Sequence, residues 1–362
     1  MLGITISLCL GIILWLALVV DFLRRFSHHS DPVSGVARLI NNISHSTSTI
    51  ASLQSLQPFP DDFTRGITPI PCHSHNDYWR YAPLLDALSA GCTSVEADIW
   101  VSAGKVGAAN TSELYVGHSR GSSRPERTLR SMYVEPLVYI LDQINNLGNV
   151  SAALNSSRLA VNGIFESNPN TTLVLLIDFK QSPVNTNIWN LLQEQLQPLR
   201  ERQYLTYWNS TKNERVLGPV TIVATGDAPF EMVTNETTNP HHDIFFDAPL
   251  LELEADAGSS SPKYTLSNSY YASVDLSNAV GKVWSSLSHS QLAKIGKQAS
   301  AAAEAGLVSR YWDTPGWPVS VRNKIWAQLA AQGVGVLNVD ELWTASKEDW
   351  RFCAAIGWGI CP

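Results

Sequence analysis

The stretch Pro71 to Tyr78 reads Pro-Cys-His-Ser-His-Asn-Asp-Tyr, and about twenty residues later an apolar run carries Glu96-Ala97-Asp98. Two further pieces complete a set. His118 follows the short run Leu114-Tyr115-Val116-Gly117, and Asp178-Phe179-Lys180 ends the strongly apolar run Leu173 to Ile177. Side chains two apart on a strand point the same way. Glu96 therefore shares a face with Asp98, Asp178 with Lys180, and Val116 with His118. Each pair stands where an apolar run gives out, the C-terminal end of a strand. Glu96, Asp98 and Asp178 converging there would form a hard oxygen site for one divalent cation, Mg²⁺ or Ca²⁺. Lys180 could hold a phosphate oxygen as a point charge, and two histidines could act as general base and general acid. Any one of these motifs is common in a solvated loop. Their conjunction in a fixed order points to metal-assisted chemistry on a phosphodiester.

The elements that must position these groups alternate between strand-like and helix-like segments. Candidate strands fall at Thr68 to Cys72, Ser94 to Ile99, Leu114 to Val116, Leu173 to Asp178, Val220 to Ala224, Ile244 to Asp247, Leu307 to Tyr311 and Val334 to Val339. Helical apolar spacing marks Ala82 to Ala90, Pro136 to Leu147, Ile188 to Arg202, Ser290 to Ala305 and Val319 to Ala331. Gly91, Gly306 and Gly333 stand where helices should end. This alternation predicts an α/β fold, a TIM-like (β/α)8 barrel over residues 67–362 with its catalytic groups at the C-terminal ends of the strands. Glu252 to Ser269, rich in serine, reads as a long loop or surface insertion.

The residues resemble a family. His73-Ser74-His75-Asn76-Asp77-Tyr78, Pro83-Leu84-Leu85-Asp86-Ala87-Leu88 and Ser94-Val95-Glu96-Ala97-Asp98-Ile99-Trp100 are similar to motifs of the altered inheritance of mitochondria protein 6 family. That family lies within the PLC-like phosphodiesterase superfamily, alongside glycerophosphodiester phosphodiesterases and venom-type phospholipase D. The late runs Arg310-Tyr311-Trp312-Asp313-Thr314-Pro315 and Leu337-Asn338-Val339-Asp340 fit it too, so the resemblance covers roughly residues 67 to 345. It implies a TIM-like barrel with His75 and His118 as catalytic histidines, Glu96, Asp98 and Asp178 as metal ligands, and Lys180 as the phosphate-binding lysine. Trp312 and His73 are expected beside the substrate, His73 as a partner of His75; spacing alone leaves open which of these two histidines is the catalyst. The chain departs from glycerophosphodiester phosphodiesterases in lacking their His-Arg-Gly start, and the segment between Asp98 and His118 is longer than in the venom enzymes. Neither substrate preference carries over.

Met1 to Val20 is almost wholly apolar and uncharged, the length of a membrane-spanning helix, and no Lys or Arg precedes it. A transmembrane anchor is expected over residues 1–23, the alternative being a cleaved signal sequence. Residues 24–66, polar apart from a patch at Val36 to Ile40, read as a stalk. Arg24 and Arg25 flank the anchor on the barrel side and favour a cytosolic barrel. The sequons at Asn42, Asn110, Asn149, Asn155, Asn170, Asn209 and Asn235 favour a lumenal or extracellular one, hence a glycoprotein of the secretory pathway. Cys72, Cys92, Cys353 and Cys361, an even number outside the anchor, are compatible with two bridges or with four packed thiols.

A net charge of −7 without long runs argues against nucleic acid as a partner. Among twelve tryptophans, Trp79, Trp100, Trp312 and Trp317 fall at or beyond strand ends, where they either line a lipid or head-group pocket or pack the barrel. Two functions from different classes follow. One is a metal-dependent phosphoric diester hydrolase, or a transphosphorylating lyase, acting on a lipid or lipid-derived phosphodiester. The other is a membrane-tethered barrel that binds such a ligand without turning it over.

Overall fold

The computed structural model describes residues 10–16, 18–19, 34–42, 49–54, 58–101, 113–145, 161–256, 258–347 and 350. Its strands are β1 (Ile70–Ser74), β2 (Cys92–Val101), β3 (Leu114–Val116), β4 (Leu173–Phe179), β5 (Tyr207–Asn209), β6 (Glu214–Val216), β7 (Val220–Gly226), β8 (Ile244–Pro249), β9 (Ser269–Asp275), β10 (Val308–Trp312) and β11 (Val336–Val339). Eight of them, β1, β2, β4, β7, β8, β9, β10 and β11, pair in parallel in that order, and β11 returns to β1. The barrel is closed.

Alternation along the strands sorts residues into an interior and a jacket. In β4, Leu173, Leu175 and Ile177 pack outward into the large core shared with the helices, while Val174 and Leu176 join Val223, Tyr271 and Val336 in a small cluster on the other face. Asp178 continues the second series. In β2 the same rule sends Val95, Ala97 and Ile99 outward and leaves Ser94, Glu96 and Asp98 on the inner face. Strands covered on both faces need this double burial, which is why Leu-Val-Leu-Leu-Ile reads as a continuous apolar run.

The helices are α1 (Gly35–Asn42), α2 (Thr49–Gln54), α3 (Leu85–Ala90), α4 (Glu135–Ile144), α5 (Thr186–Glu201), α6 (Phe230–Thr234), α7 (Leu250–Ala255), α8 (Leu276–Val280), α9 (His289–Glu304), α10 (Val319–Ala331) and α11 (Leu342–Lys347). The five predicted helices correspond to α3, α4, α5, α9 and α10. Gly91, Gly306 and Gly333 all take positive φ at or just past a helix end.

Three expectations are corrected. Leu114 to Val116 is not a barrel strand: β3 runs antiparallel to β2 outside the ring. The eighth barrel strand is β9, directly after the predicted serine-rich loop, and that segment opens with α7. Nor is all of 24–66 a stalk. Val36, Leu39, Leu53 and Phe63 are buried in the main core, and the backbone N–H groups of Gly35 and Val36 donate to Asp62 and Phe63. The compact unit begins at Ser34. The apolar patch at Val36 to Ile40 is the buried face of α1.

The expected anchor falls largely outside the described residues. Residues 10–16 and 18–19 are helical, and among the described residues no helix is long and apolar enough to cross a membrane. Cys72 and Cys92 form a disulfide between β1 and β2, with Cα atoms 4.8 Å apart. Cys353, Cys361 and the sequons at Asn110, Asn149 and Asn155 lie outside the described residues.

Candidate active site

At the C-terminal mouth the inner faces of β2 and β4 bring Glu96, Asp98 and Asp178 together, one oxygen from each within 4.8 Å of the others. The parallel register pairs Asp98 directly with Asp178. Lys180 stands over two of the three, its Nζ 2.6 Å from Asp178 and 3.3 Å from Asp98. Its position serves to neutralise that pair. Burial raises the carboxyls of both aspartates, Asp98 to about 7 with the Glu96 charge adding to the effect. Burial also works on Lys180, yet the Asp178 and Asp98 charges keep its ammonium above the ordinary value.

The cluster fits a divalent cation on structural grounds. Oδ1 of Asp98 and Oδ1 of Asp178 are buried and accept no hydrogen bond, a state that costs free energy unless something binds there. Three carboxylates against one lysine leave negative charge in a low-dielectric pocket. Gly226 makes room for them: a Cβ built on it would lie 2.0 Å from Asp178 Oδ1, and its φ of +70° suits glycine. The donors are all oxygens, the set that magnesium or calcium takes.

The two histidines flank the cluster. His75 Nε2 lies 3.9 Å from Glu96, and its Nδ1 is 2.8 Å from Asp340 Oδ1 at the end of β11. Burial pushes the imidazole down, but the Asp340 hydrogen bond and the Glu96 charge outweigh it and leave His75 above its ordinary value. His118 approaches from the other side, with Nδ1 3.7 Å from Asp98 Oδ2. The antiparallel course of β3 delivers it, because Ile99 pairs with Val116 and the Gly117 N–H donates to the Asp98 carbonyl at 3.0 Å. The chain descends to the mouth instead of rising from it.

His73 is not on the open side of the site. Wholly buried inside the barrel, it meets Ser94 Oγ at 2.6 Å through Nδ1 and lies 3.5 Å from Glu96 through Nε2. Burial pushes it down to about 4, so it supports Glu96 as a neutral ring. Trp312 ends β10, two strands removed from β1 and half exposed at the same mouth.

Several residues that sequence reasoning left without a role complete the arrangement. Tyr78 Oη lies 2.7 Å from Asp98 Oδ2, 2.5 Å from Asn76 Oδ1 and 3.1 Å from His118 Nδ1, and Trp79 packs on the His118 ring at 4.8 Å. The Asn76 N–H donates to Glu96 Oε2 at 3.0 Å from a left-handed backbone, φ 48°. Asp77 anchors this turn by accepting from Ser74, the Leu84 N–H and Tyr133. Below the cluster, buried Arg310 reaches Ser273, Asn338 and Asp247, a polar layer inside the barrel. Asn76, Asp77 and Tyr78 all lie in the run Pro71 to Tyr78. Asp340 followed the same rule as Asp178, a carboxylate where an apolar run ends.

A closed parallel barrel of eight strands with an acidic cluster at its C-terminal mouth defines a TIM-like α/β barrel protein. Residues 61–247 match the model of the AIM6-like phosphodiesterase domain. The chain is 36% identical over 322 residues to the altered inheritance of mitochondria protein 6 homolog of Arthroderma benhamiae, covering 86% of this chain and 93% of that one. It is 34% identical to altered inheritance of mitochondria protein 6 of Lachancea thermotolerans, over 77% of this chain and 66% of the relative. The chain belongs to the altered inheritance of mitochondria protein 6 family. Among solved structures, a calcium-dependent phosphoinositol-specific phospholipase C from a Gram-negative bacterium, Pseudomonas sp, superposes over 87% of this chain and 96% of its own, with a TM-score of 0.39 and 12% identity.

Proposed function

We propose that the protein is a metal-dependent phosphoric diester hydrolase or transphosphorylating lyase acting on a lipid or lipid-derived phosphodiester. The observation that carries this reading is the buried trio Glu96, Asp98 and Asp178, two of whose oxygens lack partners, set between two histidines. A magnesium or calcium ion held by the three carboxylates would supply Lewis-acid polarisation of a phosphoryl oxygen. The chain's own groups do the rest. Asp340 holds Nδ1 of His75 and leaves Nε2 facing the cluster, the orientation of a general base. Tyr78 and Trp79 fix the His118 ring on the far side, where it can protonate the leaving oxygen. Lys180 offsets charge at the centre. The attacking group is a water or a hydroxyl of the substrate itself; an open or a cyclic phosphate product tells the two apart.

The test is turnover of a panel of lipid and glycerol phosphodiesters by the full chain, with and without chelator. Activity that chelation abolishes and Mg²⁺ or Ca²⁺ restores is expected, with Glu96→Gln and Asp178→Asn inactive. Full activity in both variants would remove the metal assignment.

The same reading extends to location. Residues 1–23 would anchor the protein in a membrane with the barrel on the lumenal or extracellular side. The Cys72–Cys92 disulfide and the exposed sequons Asn170 and Asn235 support that side. Endoglycosidase should lower the apparent mass of protein from its native host, and Asn170→Gln should remove part of the shift. An unshifted band would reverse the orientation.

A further inference from the structure

The described residues of the barrel unit leave five tryptophans substantially exposed: Trp79, Trp284, Trp312, Trp317 and Trp343. All five sit at one end. Trp79 follows β1, Trp284 lies between β9 and α9, Trp312 closes β10, Trp317 lies between β10 and α10, and Trp343 follows β11. These are four consecutive strands of the ring, in the order β9, β10, β11, β1. Trp284 is 84% exposed and Trp317 79%, values far above what packing inside a barrel would leave. At the opposite end the large exposed apolar side chains are leucines, Leu217 before β7 and Leu266 before β9.

We infer that this aromatic rim docks the mouth of the barrel on a phospholipid bilayer, in its headgroup region. Tryptophan is the side chain that concentrates at membrane–water interfaces, because one ring carries both an apolar body and an N–H donor. Charge does not select an anionic leaflet. Exposed Arg120, Arg124 and Lys282 on mouth loops stand among exposed Glu126, Asp227, Asp313 and Asp340, a mixed-sign rim complementary to zwitterionic headgroups. The inference rests on the anchored, lipid-directed reading above and adds which surface of the barrel faces the lipid.

The experiment uses full-length protein in phosphatidylcholine vesicles made with and without brominated acyl chains, comparing wild type with the double variant Trp284→Ala/Trp317→Ala. Subtracting the variant's emission from the wild type's isolates the two rim tryptophans, while Trp15 in the N-terminal apolar stretch contributes equally to both. With the rim in the bilayer, brominated lipid should quench that difference emission by at least half, and raising the salt should not release it. Difference emission untouched by brominated lipid would overturn the proposal. So would shielding of the pair from acrylamide in the absence of lipid, which would place it against a second copy. None of these readouts uses turnover, so a failure here leaves the catalytic reading standing, and an inactive wild type leaves the docking result standing.

Discussion

Gly226 is the most exposed weakness of the site to a single methyl group. Its φ of +70° alone costs an L-residue roughly 1–2 kcal/mol. Gly333 provides the comparison, with φ +79° and nothing within 4 Å of a built Cβ, so Gly333→Ala should cost only that backbone amount. At Gly226 the new Cβ meets Asp178 Oδ1 at 2.0 Å and the Phe179 carbonyl at 2.7 Å. The carbonyl belongs to the β4–β7 ladder and cannot step aside, so the carboxylate must. Overpacking of this kind adds roughly 1–3 kcal/mol, giving about 2–5 kcal/mol for Gly226→Ala against about 1–2 for Gly333→Ala. Thermal unfolding with and without excess Mg²⁺ or Ca²⁺ separates the consequences. A ligand that binds only the folded state raises its stability, by about 2.7 kcal/mol at a hundredfold excess over Kd. Gly333→Ala should keep that rise and Gly226→Ala should lose it. If the two variants melt alike and respond alike to the cation, Asp178 does not lean on Gly226 as described.

Further outcomes follow from other contacts. His75→Ala and His118→Ala should each lose about 10²- to 10⁴-fold in turnover while keeping the cation-dependent rise in Tm; a dead His73→Ala beside an active His75→Ala would exchange their roles. Asp77 is buried, and burial raises its carboxyl to about 6 against the pull of the Leu84 N–H and Ser74. An acid held above its unfolded value of 3.8 stabilises the fold at low pH and loses that contribution as pH rises through 6. Asp77→Asn can keep the same three neighbours, so it should flatten the stability profile between pH 4 and 6; an unchanged slope would mean Asp77 folds ionised. Reducing the Cys72–Cys92 bridge, which closes a separation of 20 residues, should cost about 3 kcal/mol in chemical denaturation.

The carboxylates could be read from the sequence for two reasons: β2 keeps a period of two, Val95, Ala97 and Ile99 alternating with Glu96 and Asp98, and Asp178 breaks the continuous apolar run of β4 at its C-terminal end. β9 escaped the same rule for a physical reason. Its run Ser-Tyr-Tyr-Ala-Ser-Val-Asp places Ser273 against Arg310 in the polar layer, so its inner face is not apolar near the mouth. β3 reads as a barrel strand because three buried residues look alike in a barrel and on its outer edge. Asp340 lies 265 residues from His75, a separation over which no local pattern operates. Tyr78 was visible within the motif, but nothing in its spacing announces that one hydroxyl touches Asn76, Asp98 and His118.

The antiparallel return of β3 bears on how this site tolerates change. The place of His118 beside Asp98 is set by the ladder from Ile99–Val116 to Val101–Leu114 and by the Gly117 N–H, not by the number of residues between the two strands. A different number of residues between Val101 and Leu114 should therefore leave the histidine where it is, since each doubling of the length between two paired ends adds only about 0.6 kcal/mol. A search pattern that fixes the spacing from Glu-x-Asp to the second histidine would pass over chains with the same mouth. One that fixes the hydrophobic triplet before Gly-His, and leaves the gap free, would find them.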